Sequence, residues 1–293
     1  MDIKNTTIGA IGLGQMGGGM AENQLKAGFK LLGFDLSAEA MERFKNAGGT
    51  PVKSIDEVLG KCDVVWLCVP GPVAEKLTPE KIIPNCRKGQ ILIDHCTIPA
   101  PDARKYAAAL KEKRAHYLDV PISGGNKGAD AGTLRMFAGG DKEIFDQCYP
   151  LFKAAGNPDK VDLFGPVGMG QVAKDVQQMT ERMPTLARLE LLAFGIRAGL
   201  TREQLLKALD EQPGSPGPYS HLLEIVDMND KHRLSPMAAE WKYYLAEVKS
   251  IGMRMPMLEG VYEMLKDAPK TAEDNVHRPI ACFWDEMMKA KTE

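Results

Sequence analysis

Short apolar runs alternate with helically spaced apolar positions through the first half of the chain. Ile8, Ala10, Ile11 and Leu13 read as a first strand, and residues 21–27 continue a helix that Gly28 ends. Residues 31–34 form a second predicted strand. A helix follows over 38–47, with Ser37 as its N-cap and Gly48 as its stop. Further strands are predicted over 63–69 (DVVWLCV), 91–93, 116–120, 134–138 and 161–164, and a further helix over 102–113. Strands alternating with helices predict a parallel sheet covered on both faces.

The pattern changes near residue 165. From 171 onward no strand is predicted, and helical windows cover 171–198, 202–211, 220–228, 236–251, 257–267 and 279–290. Eleven of the 16 methionines lie at or beyond Met169, so composition shifts with the pattern. The run PGSPGP at 213–218 is a break between helices. The expected division is an α/β domain over 1–164 and an all-helical domain over 165–293, built on a long first helix. In that helix Val172, Val176, Met179, Met183 and Leu186 recur at steps of four and three, which predicts one buried stripe. Pro184 lies inside it and predicts a kink or a break.

Composition narrows the function classes. The chain has 293 residues, 44% hydrophobic and 26% charged, the balance of a globular protein of about two domains. With 37 basic against 39 acidic residues the net charge is −2, which leaves no electrostatic footprint for nucleic acid. No membrane span is predicted: the richest apolar stretch, 189–200, is interrupted by Glu190 and Arg197. The nearly uncharged stretch 8–20 holds six glycines and no cleavage-site pattern, so it does not read as a signal peptide, and the expected location is the cytoplasm. Six cysteines without a CxxC pair, and five histidines without ligand spacing, predict reduced thiols and no metal site.

Glycine is the outlier, at 29 residues. Gly12, Gly14 and Gly17 spell GxGxxG after a strand and at the start of a helix, with Leu13, Gln15 and Met16 between them. The first glycine permits the tight turn, the second lets the backbone approach a pyrophosphate, and the third packs helix on strand. The helix N-terminus faces the phosphates. Asp35 follows at the end of the second strand, where a carboxylate accepts from the ribose hydroxyls and repels a 2′-phosphate. No arginine follows immediately; the nearest is Arg43. A Rossmann-type domain binding NAD rather than NADP is expected.

Four segments together resemble the β-hydroxyacid dehydrogenase family, which includes 3-hydroxyisobutyrate dehydrogenase, tartronate semialdehyde reductase and the larger 6-phosphogluconate dehydrogenases. They are IGLGQMGGGMAENQLKAGF from Ile11, CVPGP from Cys68, DVPISGG from Asp119 and GPVGMGQVAKDVQQM from Gly165. Their order and spacing match across most of the chain. The resemblance implies Lys174 as the catalytic acid/base, assisted by an amide four residues on. That residue is usually asparagine and is Gln178 here. It implies Val69, Pro70 and Thr97 beside the cofactor, and Ser123, Gly124 and Gly125 around the substrate. A serine hydroxyl and close backbone N–H groups suit a carboxylate. Cys96 stands where the family has serine; no base beside it supports a nucleophile.

A second departure lies further on. The family's Lys-Asp pair, about thirteen residues before Gly-x-x-x-Pro (Gly252 and Pro256), is replaced by Ala239 and Glu240. Lys242, three residues on, is equally a substitute or a solvated lysine. The leading expectation is an NAD-dependent dehydrogenase of a small anionic β-hydroxyacid or the matching aldehyde. An imine reductase of the same architecture and a non-catalytic NAD-binding sensor remain as alternatives. A homodimer or homotetramer is implied by the resemblance.

Overall fold

A computed structural model describes residues 3–227, 233–234, 237–266, 278–279, 284 and 287–288. It divides into two compact units, one of residues 1–175 with 246–252 and one of 176–245 with 253–293.

The first unit is a nine-stranded sheet with helices. Along the chain it runs β1 (Thr7–Ile11), α1 (Gln15–Lys26), β2 (Lys30–Phe34), α2 (Ala38–Asn46), β3 (Thr50–Pro51), α3 (Ile55–Lys61) and β4 (Val64–Leu67). There follow α4 (Gly71–Leu77), a π turn over 78–82, α5 (Ile83–Asn85), β5 (Ile91–Asp94), α6 (Ala100–Glu112), β6 (His116–Asp119) and β7 (Ile122–Ser123). The series closes with α7 (Gly125–Ala131), β8 (Leu134–Gly140), α8 (Lys142–Ala155) and β9 (Gly156–Leu163).

Strands β3-β2-β1-β4-β5-β6 are parallel neighbours in that order. The sheet then reverses: β8 runs antiparallel to both β6 and β7, and β9 runs parallel to β8. The expected parallel sheet is therefore present from β3 to β6, and an antiparallel return by β8 is added at its far edge.

Strand alternation divides the core. Val64, Trp66, Ile91 and Ile93 face one side with Met20 of α1, Phe44 of α2 and Phe152 of α8. Val65, Leu67 and Leu92 face the other with Val58 of α3 and Leu110 of α6. Each such buried side chain contributes about 1.5–3 kcal/mol relative to exposure. Trp66 also donates to Gln24 Oε1 of α1 at 3.0 Å, so the indole N–H does not cross the core unpaired. The 246–252 segment is tied to this unit by Arg104, which donates to both Glu247 and Ser250.

The second unit is helical. It contains most of α9 (Met169–Arg197), then α10 (Arg202–Ala208), α11 (Pro218–Asp227), part of α12 (Met237–Ser250) and α13 (Pro256–Lys266). A two-residue pair, β10 (Arg233–Leu234) with β11 (Arg278–Pro279), corrects the expectation of no strand there. Thr201 and Gln204 cap α10 reciprocally. The helix expected over 279–290 falls largely outside the described residues, as do Cys282, His232 and His277.

Of two expectations for α9, one is answered in part and one is overturned. Pro184, expected to kink or break the helix, does not break it: α9 runs on to Arg197. Of the predicted apolar stripe only Leu186 is fully buried, and Val176 is 56% exposed. The buried face instead carries Gln171, Lys174 and Gln178, then Leu186, Leu189 and Ala193. Within each half these also recur at three and four, with two turns between the halves, but the first half of the face is polar, so hydrophobic spacing pointed to the wrong side.

His95 is buried between Trp66 and Phe152, its Nδ1 2.8 Å from the Val120 carbonyl and its Nε2 without a hydrogen-bond partner among the described residues. Burial pulls it down from 6.5 to about 4. The unfolded chain then binds the extra proton first, so stability falls as pH drops from 6.5 toward 4. Chemical denaturation at pH 7 and at pH 4.5 will show His95→Phe escaping about 2 kcal/mol of the loss suffered by the unsubstituted protein.

Candidate functional site

The glycine loop is built by neighbours that leave no room for side chains. Gly12 sits at φ +88°, a region that disfavours any Cβ, and donates its N–H to the Phe34 carbonyl at 3.0 Å. A Cβ there would also run into the Cys68 carbonyl, and one at Gly17 into the Gly12 carbonyl. Gly14 differs. It caps α1, and a Cβ on it would meet nothing of the protein within 4 Å. The space above Gly14 is therefore kept open, which fits the close approach of a pyrophosphate to α1's first amides.

The adjoining glycines have separate reasons. A Cβ at Gly18 would overlap the Arg43 guanidinium, and one at Gly19 would lie 2.7 Å from the Ala129 carbonyl carbon in α7. Arg43 reaches back from α2 to donate to the Leu13 and Gly14 carbonyls at 2.8 and 2.9 Å. Sequence reasoning noticed this arginine only as distant from Asp35. The signal that could have found it is Gly18, a glycine that the GxGxxG pattern does not require.

Asp35 accepts from Leu13 N–H at 2.6 Å and Ser37 N–H at 2.8 Å, so its carboxylate stands at the mouth of the same loop. Gln15 Oε1 accepts from Asn126 Nδ2 at 2.8 Å, which joins the glycine loop to the segment after Ser123. Ser123 ends β7 and is half-buried, Gly124 lies at φ +136° before α7, and Gly125 opens that helix. On the other flank Val69 N–H donates to Cys96 Sγ at 3.3 Å, and Pro70 caps α4. Burial holds the Cys96 thiol well above its ordinary range, and it pushes Cys68 up to about 12. Both remain thiols, and Cys96 positions the 69–70 backbone.

Lys174 lies among these groups. It is 5% exposed, and its Nζ donates to Thr97 Oγ1 at 2.8 Å and to the Ile122 carbonyl at 2.8 Å. Thr97 follows the end of β5 and Ile122 opens β7, so the loop after one strand and the start of another converge on one ammonium. The start of α9 is fixed by Asp119. Its carboxylate accepts from Gly168 N–H at 2.8 Å and Gln171 N–H at 3.0 Å, and burial pushes it up to about 7. Asp94, beside it in register on β5, accepts from Cys96 N–H and Tyr117 Oη, each at 2.9 Å.

In the second unit Gln178 is engaged by a polar cluster. Its amide nitrogen faces Tyr244 Oη at 2.8 Å and Glu240 at 3.3 Å, while its oxygen accepts from Arg182 at 3.0 Å. Arg182 in turn pairs with Glu240 and donates to Tyr244 Oη at 3.2 Å. Lys242 is exposed, with its Nζ 5.0 Å from the Tyr243 ring centroid. Among the described residues no cluster of His, Cys, Asp and Glu could hold a metal, and no helix is long and apolar enough to cross a membrane.

Residues 7–168 match the family described as the NAD binding domain of 6-phosphogluconate dehydrogenase. The chain is 34% identical to the NAD-dependent L-serine dehydrogenase of Pseudomonas aeruginosa, over 71% of this chain and 70% of that protein. It is 32% identical to mouse mitochondrial 3-hydroxyisobutyrate dehydrogenase, over 71% of this chain and 63% of the relative. Among solved structures, Mycobacterium tuberculosis 3-hydroxyisobutyrate dehydrogenase with L-serine superposes with a TM-score of 0.78 at 25% identity, over 97% of this chain and 99% of that one. The open space at Gly14, the Asp35 carboxylate and the family match agree on NAD.

Arg43 and Gly18 give a test of the loop. Calorimetry will show Arg43→Met and Gly18→Ala each weakening NAD binding roughly tenfold, because each removes about one hydrogen-bonding group from the loop carbonyls. Unchanged affinity in both variants would contradict a role for the guanidinium.

Proposed function

The chain belongs to the β-hydroxyacid dehydrogenase family, and on that premise we propose that it interconverts a small β-hydroxyacid and its semialdehyde, of the 3-hydroxyisobutyrate or tartronate-semialdehyde type, with Lys174 as general acid/base. It is an NAD-dependent oxidoreductase acting on CH–OH groups. The observation that carries the finer reading is the buried Lys174 Nζ, held at 2.8 Å by Thr97 and by the Ile122 carbonyl beside the nucleotide loop.

NAD, when bound, supplies the hydride acceptor for oxidation and, when reduced, the donor for the reverse. The protein's own part is the proton. In oxidation Lys174 takes it from the substrate hydroxyl; in reduction Lys174 returns it to the carbonyl oxygen. Thr97 holds Nζ in place. The Ser123 hydroxyl and the Gly124 and Gly125 amides are proposed to receive the substrate's anionic end, since glycine lets it approach the backbone. In this reading Gln178, the amide that would assist Lys174, is held by Arg182, Glu240 and Tyr244, with one acceptor site of its oxygen left over. Leu191 and Phe194, 61% and 71% exposed on α9, support the expectation of a homodimer or homotetramer. A 32.1 kDa particle in light scattering would contradict it.

The reaction is tested with NAD and 3-hydroxyisobutyrate, L-serine and the corresponding aldehydes, followed by absorbance of the reduced cofactor. Lys174→Met is expected to lower kcat by about 10²–10⁴-fold and to leave the Kd for NAD within about twofold. Full activity in Lys174→Met would overturn the mechanism.

A further inference from the structure

We infer that Gln171, which no part of the proposed chemistry uses, is the positioning residue that sets the hydrogen bonding of Lys174 through Thr97. This rests on the reading of Lys174 as acid/base. The Gln171 side chain is fully buried, and both ends of its amide are committed. Nε2 donates to the Cys96 carbonyl at 2.8 Å, and Oε1 accepts from Ile98 N–H at 3.3 Å. These two backbone groups flank Thr97. One planar amide therefore clamps the main chain on both sides of the residue whose hydroxyl lies 2.8 Å from Lys174 Nζ.

Gln171 and Lys174 are three residues apart on α9 and so share a face. The clamp and the ammonium are thus carried by one rigid turn. That turn is itself anchored, because Asp119 accepts the Gln171 N–H at 3.0 Å and the Gly168 N–H at 2.8 Å. Space for the anchor is cleared by glycines: a Cβ at Gly139 would lie 2.6 Å from Asp119 Oδ1, and one at Gly170 would lie 2.8 Å from Oδ2. The second acceptor of Lys174, the Ile122 carbonyl, follows three residues after Asp119. The first acceptor is therefore placed by a side chain of the helix that bears the lysine. An apolar residue at 171 would fill the same volume and leave a buried N–H and carbonyl unpaired, so the 96–98 backbone would have to move.

The test reads Lys174 directly rather than through turnover. The full chain is labelled with acetic anhydride over a range of pH, and modification at Lys174 is followed by mass spectrometry. Gln171→Met and Thr97→Val are each expected to shift the labelling midpoint by about one pH unit in the same direction. The double variant should shift no further than Thr97→Val alone, because the two act in series. Gln171→Glu keeps the acceptor for Ile98 and loses the donor, so it should give a partial shift. It also stands in if the methionine variant does not fold. The Kd for NAD should stay within about twofold in Gln171→Met and Gln171→Glu, which a general loosening of the fold would not allow. A midpoint unmoved by Gln171→Met or by Thr97→Val overturns the inference, as do additive shifts in the double variant. Lys174→Met turnover decides the catalytic reading separately: full activity there removes the mechanism while the labelling result still reports on the clamp.

Discussion

Asp119 lies at the carboxyl end of β6, out of contact with water, where an ionised group is costly unless it is hydrogen-bonded. Two backbone N–H groups supply that bonding, from Gly168 and Gln171 at the start of α9. When the carboxyl is ionised such hydrogen bonds contribute about 1.5–3 kcal/mol each, and the first amides of a helix need an acceptor in either state. The two requirements meet each other, and the place where they meet fixes the first turn of α9. Asp94, its neighbour in register, does the same for the turn after β5. The ammonium of Lys174 hangs between these two anchored segments.

The arrangement follows from strand polarity. Parallel strands put all their carboxyl ends on one edge, so the loops after β1, β4, β5 and β6 gather there, and nucleotide-binding sheets place their ligands at that edge. The glycine loop, Val69, Thr97 and Asp119 all come from those loops or strand ends. The reversal at β8 adds what a wholly parallel sheet would lack. It returns the chain along β6 so that Gly139 pairs with Asp119, and the absent side chain of Gly139 makes room for the carboxylate.

Sequence made the nucleotide loop legible because backbone geometry admits only glycine at Gly12 and no Cβ at Gly17, and such constraints leave their mark at fixed spacing. Asp35 was singled out by its distance from those glycines, and Lys174 only by the resemblance of its segment to the family. What escaped was set by contacts distant in the chain. Arg43 acts on carbonyls thirty residues earlier, and nothing near it in sequence says so. The face of α9 was misread because its buried first half is polar, occupied by Gln171, Lys174 and Gln178, and hydrophobic periodicity cannot find a buried amide. The helix α8 was passed over with Pro150 in its interior, although Asp141 caps it through Glu143 and Ile144. The partners of Gln178 showed only in part: Arg182 is one turn along the same helix, but Glu240 and Tyr244 come from α12.

The two acceptors described for Lys174 are of different kinds, a side-chain hydroxyl and a main-chain carbonyl. A point mutation can delete the first but not the second, since every residue at 122 brings the same carbonyl. Part of the lysine's setting is therefore carried by the path of the backbone and hidden from the genetic code. Among these two contacts, heritable change can grade the lysine's hydrogen bonding through position 97, while position 122, whose side chain is buried in the core, answers to packing alone.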